Sequence, residues 1–307
     1  MLLNFILLLL GFVLLTYGAD MFIDGSSAVA RRFHIPEIVI GLTVVAFGTS
    51  LSEASVSIVS VLHGANGVAI GNILGSNIAN IWLVLGLTAT ISALTIRTNT
   101  IRYEIPFVCF ITLLLMWVGF SYGVISRFSA GILLFLLCLF LVYLRTIGMK
   151  NVESETDIKE ISGFKTLAYL VLGVGFVIYG SNLIVDSSVN IAHSLHISER
   201  IIGLTIIAFG TSLPELVTCI IAALKKRTDL AVGNIIGSNI INILFVLGIT
   251  GLIKPIPFDY TFIKDDAIAV IATIMLWLFV IPQHKLSRFA GVVFLFSYAV
   301  YLVYLFG

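Results

Sequence analysis

Charge is what this sequence has least of. Only 11% of its 307 residues are Asp, Glu, Lys or Arg, against 59% hydrophobic, too little polar surface to coat a water-soluble domain of this length. A bilayer is therefore the expected solvent. The charge that is present nets to +1 and gathers in no tail, which points away from a nucleic-acid partner. Cysteine is scarcer still. Cys109, Cys138 and Cys219 stand singly in apolar stretches without CxxC or Cys/His spacing, so neither a disulfide framework nor a zinc site is expected, and they read as small core residues. The five histidines, His34, His63, His193, His196 and His284, fall in short polar connections and read as solvated loop residues. HExxH motifs, nucleophile-base pairs and cofactor loops are missing too, so an enzyme is the class least expected and no cofactor is called for.

What the sequence does have is apolar length. A spanning helix needs about 20 mostly apolar residues, and ten stretches qualify, at roughly 2–24, 37–62, 67–94, 104–121, 128–147, 164–187, 200–224, 229–253, 264–281 and 288–306. The first lacks the basic start of a signal peptide, since no Lys or Arg precedes Arg31, and it is read as a mature transmembrane helix. Connections are short except for the polar run from Lys150 to Lys165, which reads as a water-exposed linker.

The chain also repeats itself. Glu37 to Gly86 aligns without a gap to Glu199 to Gly248 at a constant offset of 162, with 27 of the 50 positions identical. Tyr17-Gly18 and Tyr179-Gly180 keep that offset, as do Asp24 and Asp186. The expectation is an all-α polytopic membrane protein of ten transmembrane helices in two five-helix units: 1–149, a cytoplasmic linker over 150–163, and 164–307. An odd number of helices per unit makes the second copy enter the membrane from the opposite side, so the repeats are inverted. With both termini outside the cell, the outer face keeps only Arg127, Arg200, Lys254 and Lys264 of the 17 basic residues, as the positive-inside rule requires.

Each repeated segment carries a carboxylate in mid-membrane. The second stretch reads Ala46-Phe47-Gly48-Thr49-Ser50-Leu51-Ser52-Glu53, and the seventh reads Ala208-Phe209-Gly210-Thr211-Ser212-Leu213-Pro214-Glu215. An ionised group at a helix centre costs about 2.5 to 3.5 kcal/mol on insertion scales. Apart from Arg200 at the start of the seventh stretch, no Lys, Arg or His lies in the second, third, seventh or eighth, so the natural counter-charge is a bound cation or protons. Ala208, Thr211/Ser212 and Glu215 recur along one helix face. Pro214 cannot continue the helix and should release backbone oxygens. Carbonyls, hydroxyls and two carboxylates make an all-oxygen site of the kind that calcium and sodium require. The third and eighth stretches add Asn72, Ser76, Asn80 and Asn234, Ser238, Asn242 at i, i+4, i+8, with Gly71/Gly75 and Gly233/Gly237 at GxxxG spacing for close helix approach. Asp20, Asp24, Asp186, Glu104, Asp265 and Asp266, near helix ends, read as interfacial and solvated.

These motifs resemble the cation/calcium exchanger superfamily, whose two repeats carry G-T-S-L-P-E and G-N-x-x-G-S-N elements, and most of all its prokaryotic sodium/calcium exchanger branch. The resemblance covers essentially the whole chain. It implies a core of eight helices around the cation sites, with the first and sixth helices sliding to alternate access. It also implies the ligand set Ala46, Thr49, Ser50, Glu53, Ser76, Asn80, Ala208, Thr211, Ser212, Glu215, Ser238 and Asn242, the two alanines acting through backbone oxygen. Ser52 stands where the family usually has proline, so the break in the second helix should rest on Gly48 and be less sharp. Asn242 stands where similar exchangers have Asp, which argues against potassium cotransport. The implied function is electrogenic sodium/calcium antiport in the cell membrane, three sodium ions per calcium, with no obligate protein partner. The alternative is proton/calcium antiport through the same carboxylates, and a channel or structural subunit is the remaining class.

Overall fold

The computed structural model describes residues 2–32, 46–148, 163–224, 226 and 228–306. The expected linker, apart from Gly163, and the repeated positions 37–45 lie outside the described residues, as does His34. The rest is helical almost throughout, because long runs of Leu, Ile, Val, Phe and Ala carry few breakers. The first half holds α1 (Leu2–Arg32), a single turn α2 (Ala46–Thr49), α3 (Leu51–Leu62), α4 (Asn66–Ile91), α5 (Thr100–Tyr122) and α6 (Arg127–Gly148). The second half follows the same plan: α7 (Gly163–Leu195), α8 (Glu199–Thr211), α9 (Leu213–Leu224), α10 (Thr228–Ile241 continuing through Asn242–Val246 into Leu247–Ile253), α11 (Tyr260–Val280) and α12 (Arg288–Phe306). Gly64 and Gly123, at φ +82° and +62°, end α3 and α5 in the left-handed region that glycine adopts without strain.

Six helices among the described residues are long and apolar enough to cross a membrane, or seven if α8 and α9, bent by 41°, count as one. α11 falls outside that set because Lys264, Asp265 and Asp266 cluster near its start. α1 and α7 run beyond their apolar stretches, to Arg32 and Leu195. The hydrogen-bond ladder continues past the apolar limit, since polar residues in water extend a helix as well as apolar ones do in lipid. His193 consequently sits inside α7 and not in a connection.

Burial separates centre from periphery. The apolar windows of α4 and α10 are 94% and 83% buried, against 28% for α6 and 33% for α7, so the asparagine-bearing helices form the middle of the bundle. α4 reaches α8 closely enough that a Cβ on Gly75 would lie 2.6 Å from the Leu204 carbonyl oxygen. α1 crosses α7 backbone to backbone. A Cβ on Gly18 would lie 2.8 Å from the Gly173 oxygen, and one on Gly180 would lie 2.8 Å from the Gly11 oxygen. Those pairs repeat at the offset of 162, and they run antiparallel.

Four two-residue strands tie the halves together: β1 (Leu94–Thr95), β2 (Val124–Ile125), β3 (Ile256–Pro257) and β4 (Lys285–Leu286). β1 pairs antiparallel with β4, and β2 with β3. Beside them Ser126-Arg127-Phe128 recurs as Ser287-Arg288-Phe289. Arg127 Nε donates to Leu252 O, and an Arg288 Nη2 donates to Ile91 O, both at 3.2 Å. Each guanidinium satisfies a carbonyl left over at the C-terminus of the other half's central helix, where positive charge is favoured. Lys254 Nζ donates to Val61 O at the Arg127 end.

Candidate cation site

The site begins with two helix breaks. Ser50 between α2 and α3 has φ −73°, ψ 1°, and Ser212 between α8 and α9 has φ −83°, ψ 3°. The ladders resume identically, with Ala54 N donating to Ser50 O and Leu216 N to Ser212 O, each at 3.0 Å. The serine itself turns alike with and without a following proline, while α8 and α9 bend by 41° and Phe47–Leu62 runs as one apolar helix. Ser52 Oγ instead donates to Thr49 O at 2.7 Å and reaches Thr211 O at 3.3 Å, so a hydroxyl occupies the carbonyl at the break. Glu53 and Glu215 fall in the first turns of α3 and α9, where unpaired backbone N–H groups favour a carboxylate. Both carboxylates are completely buried.

α4 and α10 bring amides and hydroxyls to these breaks, crosswise. Thr49 Oγ1 lies 3.4 Å from Ser238 Oγ and donates to Asn234 Oδ1 at 3.4 Å. Thr211 Oγ1 lies 3.3 Å from Ser76 Oγ and donates to Asn72 Oδ1 at 3.0 Å. Ser238 Oγ donates to Glu215 Oε1 at 3.3 Å and Ser212 Oγ to Glu53 Oε1 at 3.5 Å, while Ser52 Oγ lies 3.2 Å from Glu53 Oε2. Ser76 Oγ also donates to Ala208 O at 3.5 Å. Ala46 opens α2, and its side chain lies outside the described residues. Both central helices pass into π-helical turns at the last site positions, over Asn80–Leu85 and Asn242–Val246. Such turns rotate the register locally and recur at functional sites.

The chemistry of the set is oxygen only. Buried atoms with no hydrogen-bond partner among the described residues include Ser50 Oγ, Asn80 Oδ1, Asn242 Oδ1 and Glu215 Oε2. All four belong to residues singled out in the sequence, and oxygens of that kind fit a hard cation. Among the described residues no three His, Cys, Asp or Glu side chains group as a metal site. The cage rests on two carboxylates supplemented by hydroxyl, amide and backbone oxygen.

Arg200 does not neutralise the glutamates. Its Nε and an Nη2 donate to Asp265 Oδ2 and Oδ1 at 2.6 and 2.7 Å, a bidentate pair. This corrects the reading of Asp265 and Asp266 as solvated: both are fully buried, Asp265 because α11 turns it inward onto the start of α8. Cys219 is more than filler, since Asn234 Nδ2 approaches its sulfur at 3.8 Å. The matching Asn72 Nδ2 donates to Ser57 Oγ at 3.1 Å. Asn77 and Asn239, one residue after Ser76 and Ser238, bridge the two central helices. Sequence reasoning passed over them, although their place in both G-S-N motifs was a signal.

Known proteins resemble this chain along its whole length. The family model described as sodium/calcium exchanger protein matches residues 3–146 and 165–307. The chain is 37% identical to the putative antiporter CaxA of Alkalimonas amylolytica over the whole of both chains, and 31% identical to the sodium/calcium exchanger MaX1 of Methanosarcina acetivorans over 99% of this chain and 98% of that one. A solved structure of the sodium-calcium exchanger NCX_Mj, soaked with sodium and strontium, superposes with a TM-score of 0.71 at 35% identity, covering 98% of each chain.

Proposed function

The chain belongs to the sodium/calcium exchanger family, and from that premise we propose that the cage at the two helix breaks is where the exchanged ions bind. The protein is a multi-pass membrane antiporter and not an enzyme, and its transported substrates are sodium and calcium ions. The observation that carries the site is the pair of fully buried glutamates with no basic partner among the described residues. Such a pair in hydrocarbon calls for mobile positive charge. One calcium ion cancels it, and sodium ions take the same oxygens, so each cation excludes the other. That competition couples the two fluxes.

The ten-span architecture in two inverted five-helix repeats, 1–149 and 164–307, belongs to the same reading. It is supported by the matched elements α1–α6 and α7–α12, by the crosswise hydrogen bonds and by the antiparallel crossing of α1 and α7. Both termini would lie outside, since the face that holds Arg127, Arg200, Lys254 and Lys264 carries only these four of the 17 basic residues. With Asn242 neutral, the site offers two negative charges. Three sodium ions would leave it at +1 and one calcium at zero, so one charge would move with the sodium limb, worth about 2.3 kcal/mol per 100 mV. Alternating access would come from α1 and α7 sliding along the central helices.

The test is calcium uptake into sodium-loaded liposomes. Uptake that needs the outward sodium gradient and disappears in Glu53→Gln and Glu215→Gln is expected. Uptake driven equally by an outward proton gradient without sodium would replace sodium by protons, and a leak independent of gradients would end the antiport reading.

A further inference from the structure

α4 and α10 meet through four buried asparagines. Asn80 Nδ2 donates to Asn239 Oδ1, and Asn242 Nδ2 donates to Asn77 Oδ1, both at 3.0 Å. The bridging pair is closed on itself. Asn77 Nδ2 donates to the backbone oxygen of Asn239 at 3.4 Å, and Asn239 Nδ2 to that of Asn77 at 3.2 Å. The most accessible of the four, Asn77, is only 3% exposed. What the ring leaves over is one oxygen from each outer member, Asn80 Oδ1 and Asn242 Oδ1, both without a partner among the described residues.

A carboxamide presents an acceptor on one side and donors on the other. At a cation site the difference decides binding, because an amide turned round aims N–H groups at the ion. Asn77 and Asn239 remove the choice. Each offers the opposite helix's amide an oxygen that only its NH2 group can satisfy, and each is itself oriented by a main-chain carbonyl that only its own NH2 group can satisfy.

We propose that Asn77 and Asn239 are positioning residues that lock the amides of Asn242 and Asn80 with their oxygens toward the cation, each helix orienting the ligand of the other. This rests on the cation-site reading above. It also accounts for a neutral residue at 242. An ionised carboxylate there would set an oxygen against Asn77 Oδ1, a contact that only a shared proton makes favourable. The ring thereby limits the charge of the site to that of Glu53 and Glu215.

The experiment measures KM for calcium, half-saturating sodium and the rate at saturation in liposomes for Asn77→Leu and Asn239→Leu. Loss of an orienting partner typically costs 10–100-fold in metal affinity, so a rise of about that size in KM, with the effect falling there and not on the saturating rate, is expected. Asn77→Gln, whose amide keeps an acceptor for Asn242 and a donor to the Asn239 backbone, should recover part of the low KM. Unchanged KM in the leucine variants, or Asn77→Gln as weak as Asn77→Leu, overturns the proposal. Should the leucine variants fail to fold, Asn77→Ser and Asn239→Ser take their place, and unchanged KM in both overturns the proposal. Wild type and Glu215→Gln run alongside: sodium-driven uptake lost in Glu215→Gln but normal KM in Asn77→Leu rejects the ring alone, whereas no sodium-driven uptake by wild type rejects the functional reading.

Discussion

The first copy of the repeated segment makes its helix break with Ser52, and the second makes it with Pro214; the serines at the two breaks nevertheless adopt nearly the same backbone angles. Behind the breaks the copies diverge further. Ser57 backs Asn72 where Cys219 backs Asn234. Arg200 grips Asp265, where Ile38 stands at the matching position of the first copy. The atoms nearest the site keep the two-fold pattern, and the layer behind them does not. Ions impose distance and donor requirements from both sides at once, while a supporting contact needs only to hold one side chain in place, so several chemistries serve there.

The comparison breaks most severely at the carboxylates. Glu53→Gln and Glu215→Gln each remove half the negative charge, and calcium uptake in either is expected to fall to the background of empty liposomes. If one variant retains uptake, the copies are not equivalent as ligands.

The Arg200–Asp265 pair comes next. Arg200→Leu leaves Asp265 buried and unpaired, which should lower stability by about 3 kcal/mol, read as a drop in thermal unfolding temperature in detergent. Arg200→Leu with Asp265→Leu should recover most of it. A single variant as stable as wild type would mean that the second copy does not depend on its extra clamp.

Making the breaks alike should matter less. Ser52→Pro loses the bond to Thr49 O, worth about 1 kcal/mol, while the turn at Ser50 is already made. Calcium KM should shift by no more than about fivefold, and loss of transport would show that the hydroxyl itself acts on the ion. The smallest effect is expected of Cys219→Ser, which copies Ser57 into the second half. Stability and KM should stay close to those of wild type in the same assays, since a serine hydroxyl can donate to Ala231 O and accept from Asn234 as the thiol does.

Much of this was legible in the chain. Long apolar runs, the offset of 162 and the doubled motifs pointed to the helical class, the duplication and the proposed site residues, because each is a property of local composition or spacing. The extents of α1 and α7 were not, since apolarity marks where lipid ends and the hydrogen-bond ladder does not stop there. β1 to β4 are too short for any alternation to register. Asp265 and Asp266 looked like interface residues because they sit near a helix start, and only the approach of Arg200 from α8 reveals why one of them is buried.

By itself, then, the sequence determined that the protein lives in a bilayer, that it is built twice over, and that two glutamates lack a basic partner within their own helices; all three follow from hydrophobicity and spacing along one dimension. Only the tertiary structure decided that Thr49 reaches Ser238 and Thr211 reaches Ser76, that Arg200 is already taken, and that Asn77 and Asn239 accept from the amides of Asn242 and Asn80. Those contacts join residues 65 to 189 positions apart, and which atoms meet across such separations depends on how the helices cross and rotate, something no local pattern encodes.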